Sequence, residues 1–194
     1  MRRIGKTVPF IAATVFALGG AVAKLGLLAR GSAMDGTPSR SASPPVWTEV
    51  QWPFPVDPWG KGKAFRCKPA DCGSEVKVYV RAKLGFCNCT TGIVDDTDLD
   101  RMGDLDLIGG EVLPLGPGRP IAVGPMQGRS RAYTLSARDR RGKTVISIAF
   151  NERCDMIAAT VLLQHDQPET IEPAITVFLN SPSVLRWVEV TLGL

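Results

Sequence analysis

The sequence predicts an α+β fold: an antiparallel β-sheet meander followed by two C-terminal helices packed on one face. Three observations lead there. Between Arg129 and Leu163 lie three β-rich runs, RSRAYTLSA, TVISIAF and MIAATVLL, separated by short polar stretches. After Pro168 the period changes, with Ile171, Ala174, Ile175, Phe178 and Leu179 recurring at helical spacing. Ser181-Pro182 then restarts the chain as a second helix carrying Val184, Leu185, Val188 and Leu192, because proline is at home in a first helical turn. Strands first and helices last indicate an antiparallel sheet with helices gathered on one face. A small β-sandwich with a helical tail is the alternative.

Taken in order, the chain of 194 residues opens with Arg2, Arg3 and Lys6 and then runs uncharged to Ala23. Basic, then apolar, then small is the layout of an export signal, and Ala21-Val22-Ala23 offers a cleavage site. Apolar character resumes after Lys24 with LGLLA, so residues 1–30 read either as a signal peptide or as a single transmembrane anchor. Both readings keep the basic end in the cytoplasm and deliver the remainder to the periplasm or outside. Residues 31–46, GSAMDGTPSRSASPPV, have little to bury and read as a flexible linker.

Residues 47–64 form an aromatic and proline-rich arm. Trp47, Trp52, Phe54 and Trp59 are interleaved with Pro53, Pro55 and Pro58, which favours an extended course outside helix or central strand. The rings either pack onto the domain or are presented to a partner, with Trp52, Phe54 and Trp59 as the binding candidates. Residues 65–194 then form the exported domain. Val76, Val78 and Val80 alternate with Lys77, Tyr79 and Arg81, which predicts a strand with one wet face. The acidic run DDTDLDRM from Asp95 to Met102 suits the start of a short helix. Between Leu105 and Gly128 repeated glycine and proline predict short strands and turns, including Pro120 to Val123. RDRRGK makes a hairpin turn between the first two β-rich runs, and Asn151-Glu152-Arg153 a second.

Charge excludes one class of partner. The formal charge is +4, with 23 basic against 19 acidic residues, but three of the basic ones lie in residues 1–23. The rest is near neutral and carries no footprint for nucleic acid. Two local basic clusters, Lys61/Lys63/Arg66/Lys68 and Arg138/Arg140/Arg141/Lys143, read as solvated loops.

Cysteine chemistry is the most specific signal. All five cysteines, Cys67, Cys72, Cys87, Cys89 and Cys154, lie in the exported part, where disulfides are the default. Cys87 and Cys89 on an extended segment point to one face and are too close to bond each other. The expectation is one or two disulfides joining Cys67/Cys72 to Cys87/Cys89, with Cys154 left over. The alternative is metal or thiol-redox handling, in which Cys67, Cys72, Cys87 and Cys89 bind copper or zinc. Neither a paired C-x2-C nor a nearby histidine supports it.

No catalytic set is visible. His165, the single histidine, adjoins Asp166 and shares a meander segment with Cys154, but no oxyanion device accompanies them. Asp96, Asp98 and Asp100 resemble the first ligands of a calcium loop, yet Arg101 stands where glycine is needed and Leu107 where a glutamate is needed. Gly142-Lys143-Thr144 ends like a phosphate loop but lacks the earlier glycine, and Gly116-Pro117-Gly118 leads to no third glycine. The sequence therefore points to an exported, non-enzymatic protein-binding or envelope-complex accessory module without a cofactor, whose partner is a protein of the cell envelope.

Overall fold

The computed structural model describes residues 44–85, 89–136, 143–164 and 168–194. Strands β1 (Trp47–Val50), β2 (Lys63–Cys67), β3 (Val76–Lys83), β4 (Glu111–Pro114), β5 (Arg119–Val123), β6 (Met126–Ser136), β7 (Lys143–Glu152) and β8 (Asp155–Leu163) make one sheet. Every pairing is antiparallel, in the order β1-β2-β3-β8-β7-β6-β4, with β5 also pairing β6. The expected meander is β6-β7-β8. The β6–β7 connection, residues 137–142, lies outside the described residues, as do the N-terminal segment 1–30, most of the linker and His165.

Among the described residues four helices accompany the sheet: α1 (Pro69–Cys72), α2 (Asp96–Met102), α3 (Pro168–Leu179) and α4 (Pro182–Leu192). The two C-terminal helices bury Ile171, Ile175, Phe178, Leu179, Val184, Val188 and Leu192 against Val78, Val80, Ile146, Ile148, Phe150, Ile157, Ala159 and Val161. The helical period after Pro168 and the strand period before it thus meet in one core, and α+β is the fold. Ser181 is the residue before the α4 proline, and Gly193 ends the helix in the left-handed conformation with its N–H on the Glu189 carbonyl.

The opposite face departs from expectation. The sequence predicts a wet face for β3, but Tyr79, Arg81 and Lys83 are all buried. Two segments cover them. Residues 51–62, which connect β1 to β2, lay Trp52 and Phe54 against Tyr79 in edge-to-face contacts, with ring centroids 6.2 and 4.7 Å from Tyr79. A 3-10 turn at Leu105–Ile108 adds Leu105 and Ile108 beside Val145 and Leu135. Farther along, α2 seats Leu99 and Met102 on Ala149, Met156 and Ala158. Small residues on β7 and β8 permit that close approach: a Cβ added to Gly103, just after α2, would stand 2.5 Å from Ser147 Oγ.

The arm is therefore part of the domain. Trp47–Val50 is an edge strand and β2 begins at Lys63, two residues before the boundary the sequence suggests. Gly62 shows how tightly the arm returns. A Cβ there would fall 2.2 Å from the Val80 carbonyl oxygen and 2.8 Å from the Trp52 ring. Gly62→Ala is expected to destabilise by about 1–3 kcal/mol, since backbone must move to admit a methyl group. A lowered denaturant midpoint with unchanged slope checks this; a wild-type midpoint would show that the arm yields freely.

Candidate partner-binding groove and buried charge cluster

Among the described residues two disulfides staple the domain. Cys67 at the end of β2 bonds Cys72 at the end of α1, five residues on. Pro69 opens that single helical turn, and the turn folds the chain back within bonding reach. Cys89 bonds Cys154, 65 residues away, in the turn between β7 and β8. Here the expected pairing is corrected. Cys67 and Cys72 bond each other rather than Cys87 or Cys89, and Cys154 is bonded. The register explains it: β3 pairs β8 with Lys83 opposite Met156, so the chain leaving β3 emerges beside the β7–β8 turn, where Gly85 N–H donates to Asp155 Oδ1 at 2.6 Å. Cys87, the fifth cysteine, lies outside the described residues. A four-thiolate copper or zinc site on Cys67, Cys72, Cys87 and Cys89 is incompatible with these bonds, because three of the four sulfurs are already disulfides.

The acidic run is spent on arginines. Asp95 caps α2, its side chain accepting from Asp98 N–H at 2.8 Å. Asp96 accepts from the Gly118 N–H and from Arg129 Nε at 2.5 Å, and these contacts, the Gly118 N–H first, hold its carboxyl below the ordinary aspartate value. Asp100 accepts from Arg131 at 2.8 Å and from the Tyr133 hydroxyl. Burial first, and that hydrogen bond second, push the Tyr133 hydroxyl well above its ordinary pKa. Arg129, Arg131 and Tyr133 stand on alternate positions of β6, so one strand face fastens the whole of α2.

Asp104 anchors the most buried cluster. It is 2 % exposed, as is Arg81, and Lys83 is 5 % exposed. Arg81 donates to both Asp104 oxygens at 2.6 and 2.8 Å, while its remaining terminal nitrogen reaches Asp57 at 2.5 Å. Lys83 Nζ lies 2.7 Å from Asp104 and donates to the Met102 carbonyl at 2.8 Å. Burial works against the Arg81 charge, but the hydrogen bonds to Asp104 and Asp57 outweigh it and hold the guanidinium pKa above its ordinary value. Two cations and two carboxylates balance, and each of the three Arg81 guanidinium nitrogens has a carboxylate partner. This is a structural rivet joining β3, the segment after α2 and the arm.

Asp57 is its exposed member, with 32 % of its side chain accessible. The Arg81 hydrogen bond chiefly lowers its pKa; burial opposes it as the next largest effect, and the Trp59 N–H with the charges of Arg81 and Lys83 keeps the net shift downward. A carboxyl with a depressed folded pKa contributes stability that is complete above the unfolded value, near 3.8, and is lost as pH falls through the folded value. The arm is therefore expected to loosen in acid below about pH 4. Tryptophan emission followed through an acid titration checks this: the transition should disappear in Asp57→Asn, and its persistence there would place it elsewhere.

The partner-binding candidates divide. Trp52 and Phe54 are half-buried on the face away from α3 and α4, packed around Tyr79. Trp59 instead lines a cleft at the end of β3, with Pro58, Lys61, Ala82 and Leu84 on one side and Trp187 and Thr191 of α4 on the other. Trp187 also borders a larger open groove of about 650 Å³ on the far side of α4. Its floor is Trp47 and Glu49 of β1 with Lys63 and Phe65 of β2. Phe178 closes one end, stacked on Trp47 at 4.4 Å and edge-on to Phe65 at 4.9 Å. The wall is α4, through Ser183, Arg186, Trp187 and Val190. Sequence reasoning missed Phe65, Phe178, Arg186, Trp187 and Val190 as groove residues. One signal was present: Trp187 and Val190 are large apolar residues of α4 that fall outside its core-facing stripe of Val184, Leu185, Val188 and Leu192.

What these features define is a disulfide-stapled α+β domain with an open aromatic groove at one edge of its sheet. Among the described residues no helix is long and apolar enough to cross a membrane. No family model matches the chain, and no curated protein matches it in sequence. Among solved structures it is similar to the solution structure of cyanobacterial PsbP (CyanoP) from Synechocystis sp. PCC 6803, at 12 % identity and a TM-score of 0.42, over 66 % of this chain and 75 % of that one.

Proposed function

We propose that the protein is an exported, non-enzymatic module that binds a protein partner in the cell envelope, and that the groove between β1–β2 and α4 is the binding surface. The groove carries this reading. It gathers Trp47, Phe65, Phe178 and Trp187, and it leaves Val190 75 % exposed. Aromatic residues concentrated in a concave patch with a polar rim are the usual make-up of binding hot spots. Export is supported by the two disulfides, which persist in oxidising compartments, and by the signal-like layout of residues 1–23. The non-enzymatic reading draws support from Asp96, Asp100, Asp104, Arg81, Arg129 and Arg131, whose charges are occupied in holding the fold. Trp59 extends the surface past Trp187. Trp52 and Phe54 contribute by packing the arm, so their removal acts through the fold.

Val190→Asp is expected to leave the melting temperature within about 2 °C of wild type, as a surface change should, and to abolish partner contact. A photo-crosslinking residue at position 183, also on the groove wall, measures that loss in the Val190→Asp background, and one at position 190 in cells, with position 177 on α3 as the control, measures the contact in the otherwise unchanged protein. Val177 is 70 % exposed and lies outside the groove. Crosslinks at 190 but not at 177 are expected; equal yields at the two positions would overturn the assignment.

A further inference from the structure

We infer that the groove receives an amphipathic α-helix of the partner, carrying an acidic residue for Arg186, which docks on β1–β2 beside α4 as the third helix of that layer. The inference rests on the groove being a binding surface and says what kind of segment fills it.

Three observations point to a helix. The first is the shape of the sheet beyond α4, which Phe178 covers only at the Trp47 and Phe65 end. α4 packs over β3 and β8, and α3 over β5 and β7, while β1 and β2 continue the sheet beyond α4. Two strands at a spacing of about 4.8 Å present a floor about 10 Å wide, close to the diameter of one helix. Second, α4 has a lateral face besides its core face. Ser183, Arg186, Trp187 and Val190 fall at i, i+3, i+4 and i+7 along about two turns and all border the groove. That is the spacing at which one helix offers ridges to another. An extended peptide would match this wall poorly, because its side chains recur every two residues.

The third observation is charge. On the floor Lys63 and Glu49 pair at 2.7 Å and cancel. On the wall Arg186 is exposed, and among the described residues no carboxylate is bonded to it. The groove therefore carries one uncompensated positive charge next to Trp187. A helix with apolar residues at i, i+3, i+4 and i+7 and a carboxylate on its flank would satisfy the aromatic floor and the guanidinium together.

The test is a display selection on the full-length protein with peptides of about 16 residues, four helical turns, in two designs. One carries apolar residues at helical spacing, the other the same residues alternating, and each design has flanks of either Glu or Lys. Enrichment of helix-patterned, Glu-flanked peptides is expected. Their affinity should fall about tenfold or more in Val190→Asp and again in Arg186→Glu, and Lys-flanked versions should recover binding to Arg186→Glu. Enrichment of alternating peptides whose binding Val190→Asp abolishes would overturn the helix while leaving the groove as the partner site. Peptides that bind equally to wild type and Val190→Asp would overturn both readings, as would no enrichment together with no crosslink at position 190. Concentration-dependent dimerisation lost in Val190→Asp, followed by sedimentation, would make the occupant a second copy of this chain and overturn the partner helix.

Discussion

Asp104→Asn should lower the unfolding free energy by about 3–5 kcal/mol, because it leaves Arg81 and Lys83 buried with too little negative charge. Both cations lie within 2.7 Å of Asp104 oxygens, and at 2 and 5 % exposure neither can recover water as a partner. For a domain of this size the loss corresponds to a melting temperature lower by about 10 °C. Asp106→Asn, at an exposed position two residues on, serves as the control and should melt like wild type. A companion triple change, Arg81→Met, Lys83→Met and Asp104→Leu, removes the three buried members together, leaves only the part-exposed Asp57, and is expected to restore most of the stability. If Asp104→Asn melted as wild type does, the rivet would carry no net stability. If instead the triple variant folded stably but lost crosslinking at position 190, the cluster would have a role in positioning the groove.

Removing the long disulfide is the second large effect. Cys89→Ser with Cys154→Ser opens a loop spanning 65 residues, for which chain entropy gives about 4 kcal/mol. Cys67→Ser with Cys72→Ser opens a span of five and should lose about 2 kcal/mol on the same account. The ranking follows from how many unfolded conformations each bond forbids. Guanidinium melts of the two double variants under non-reducing conditions decide it. A larger loss from the short pair would mean that native packing of α1, rather than chain entropy, governs.

The strands and helices near the C-terminus were legible because their apolar periods are long and regular. Ile146, Ile148 and Phe150 alternate with smaller residues for a full strand, and Ile171, Ile175, Phe178 and Leu179 keep the helical beat through Pro173. The cap of α2 was legible from Asp95 and the acids after it. The covered face of β3 was not. Lys77, Tyr79, Arg81 and Lys83 look like a solvent face until a loop of prolines and tryptophans, and an aspartate 23 residues from Arg81, fold over it. A buried arginine reads as a surface arginine when its partner lies in another element.

The disulfides show the same division. That the cysteines would bond was legible from their number and the signal-like start of the sequence, whereas the choice of partner belonged to the β3–β8 register and the turn after β7. The groove stands further still from the sequence. Its residues come from β1, β2, α3 and α4, and Trp47 meets Phe178 across more than half the chain. Periodicity and composition are local properties, and they determined which segments became strands and helices, the α+β order and the reason to expect oxidised cysteines. Which charges are buried, which cysteines pair and where an aromatic surface stays open depend on contacts between residues far apart in sequence. Only the tertiary structure decided those, because the free energy of burial and charge pairing is set by the neighbours that folding supplies.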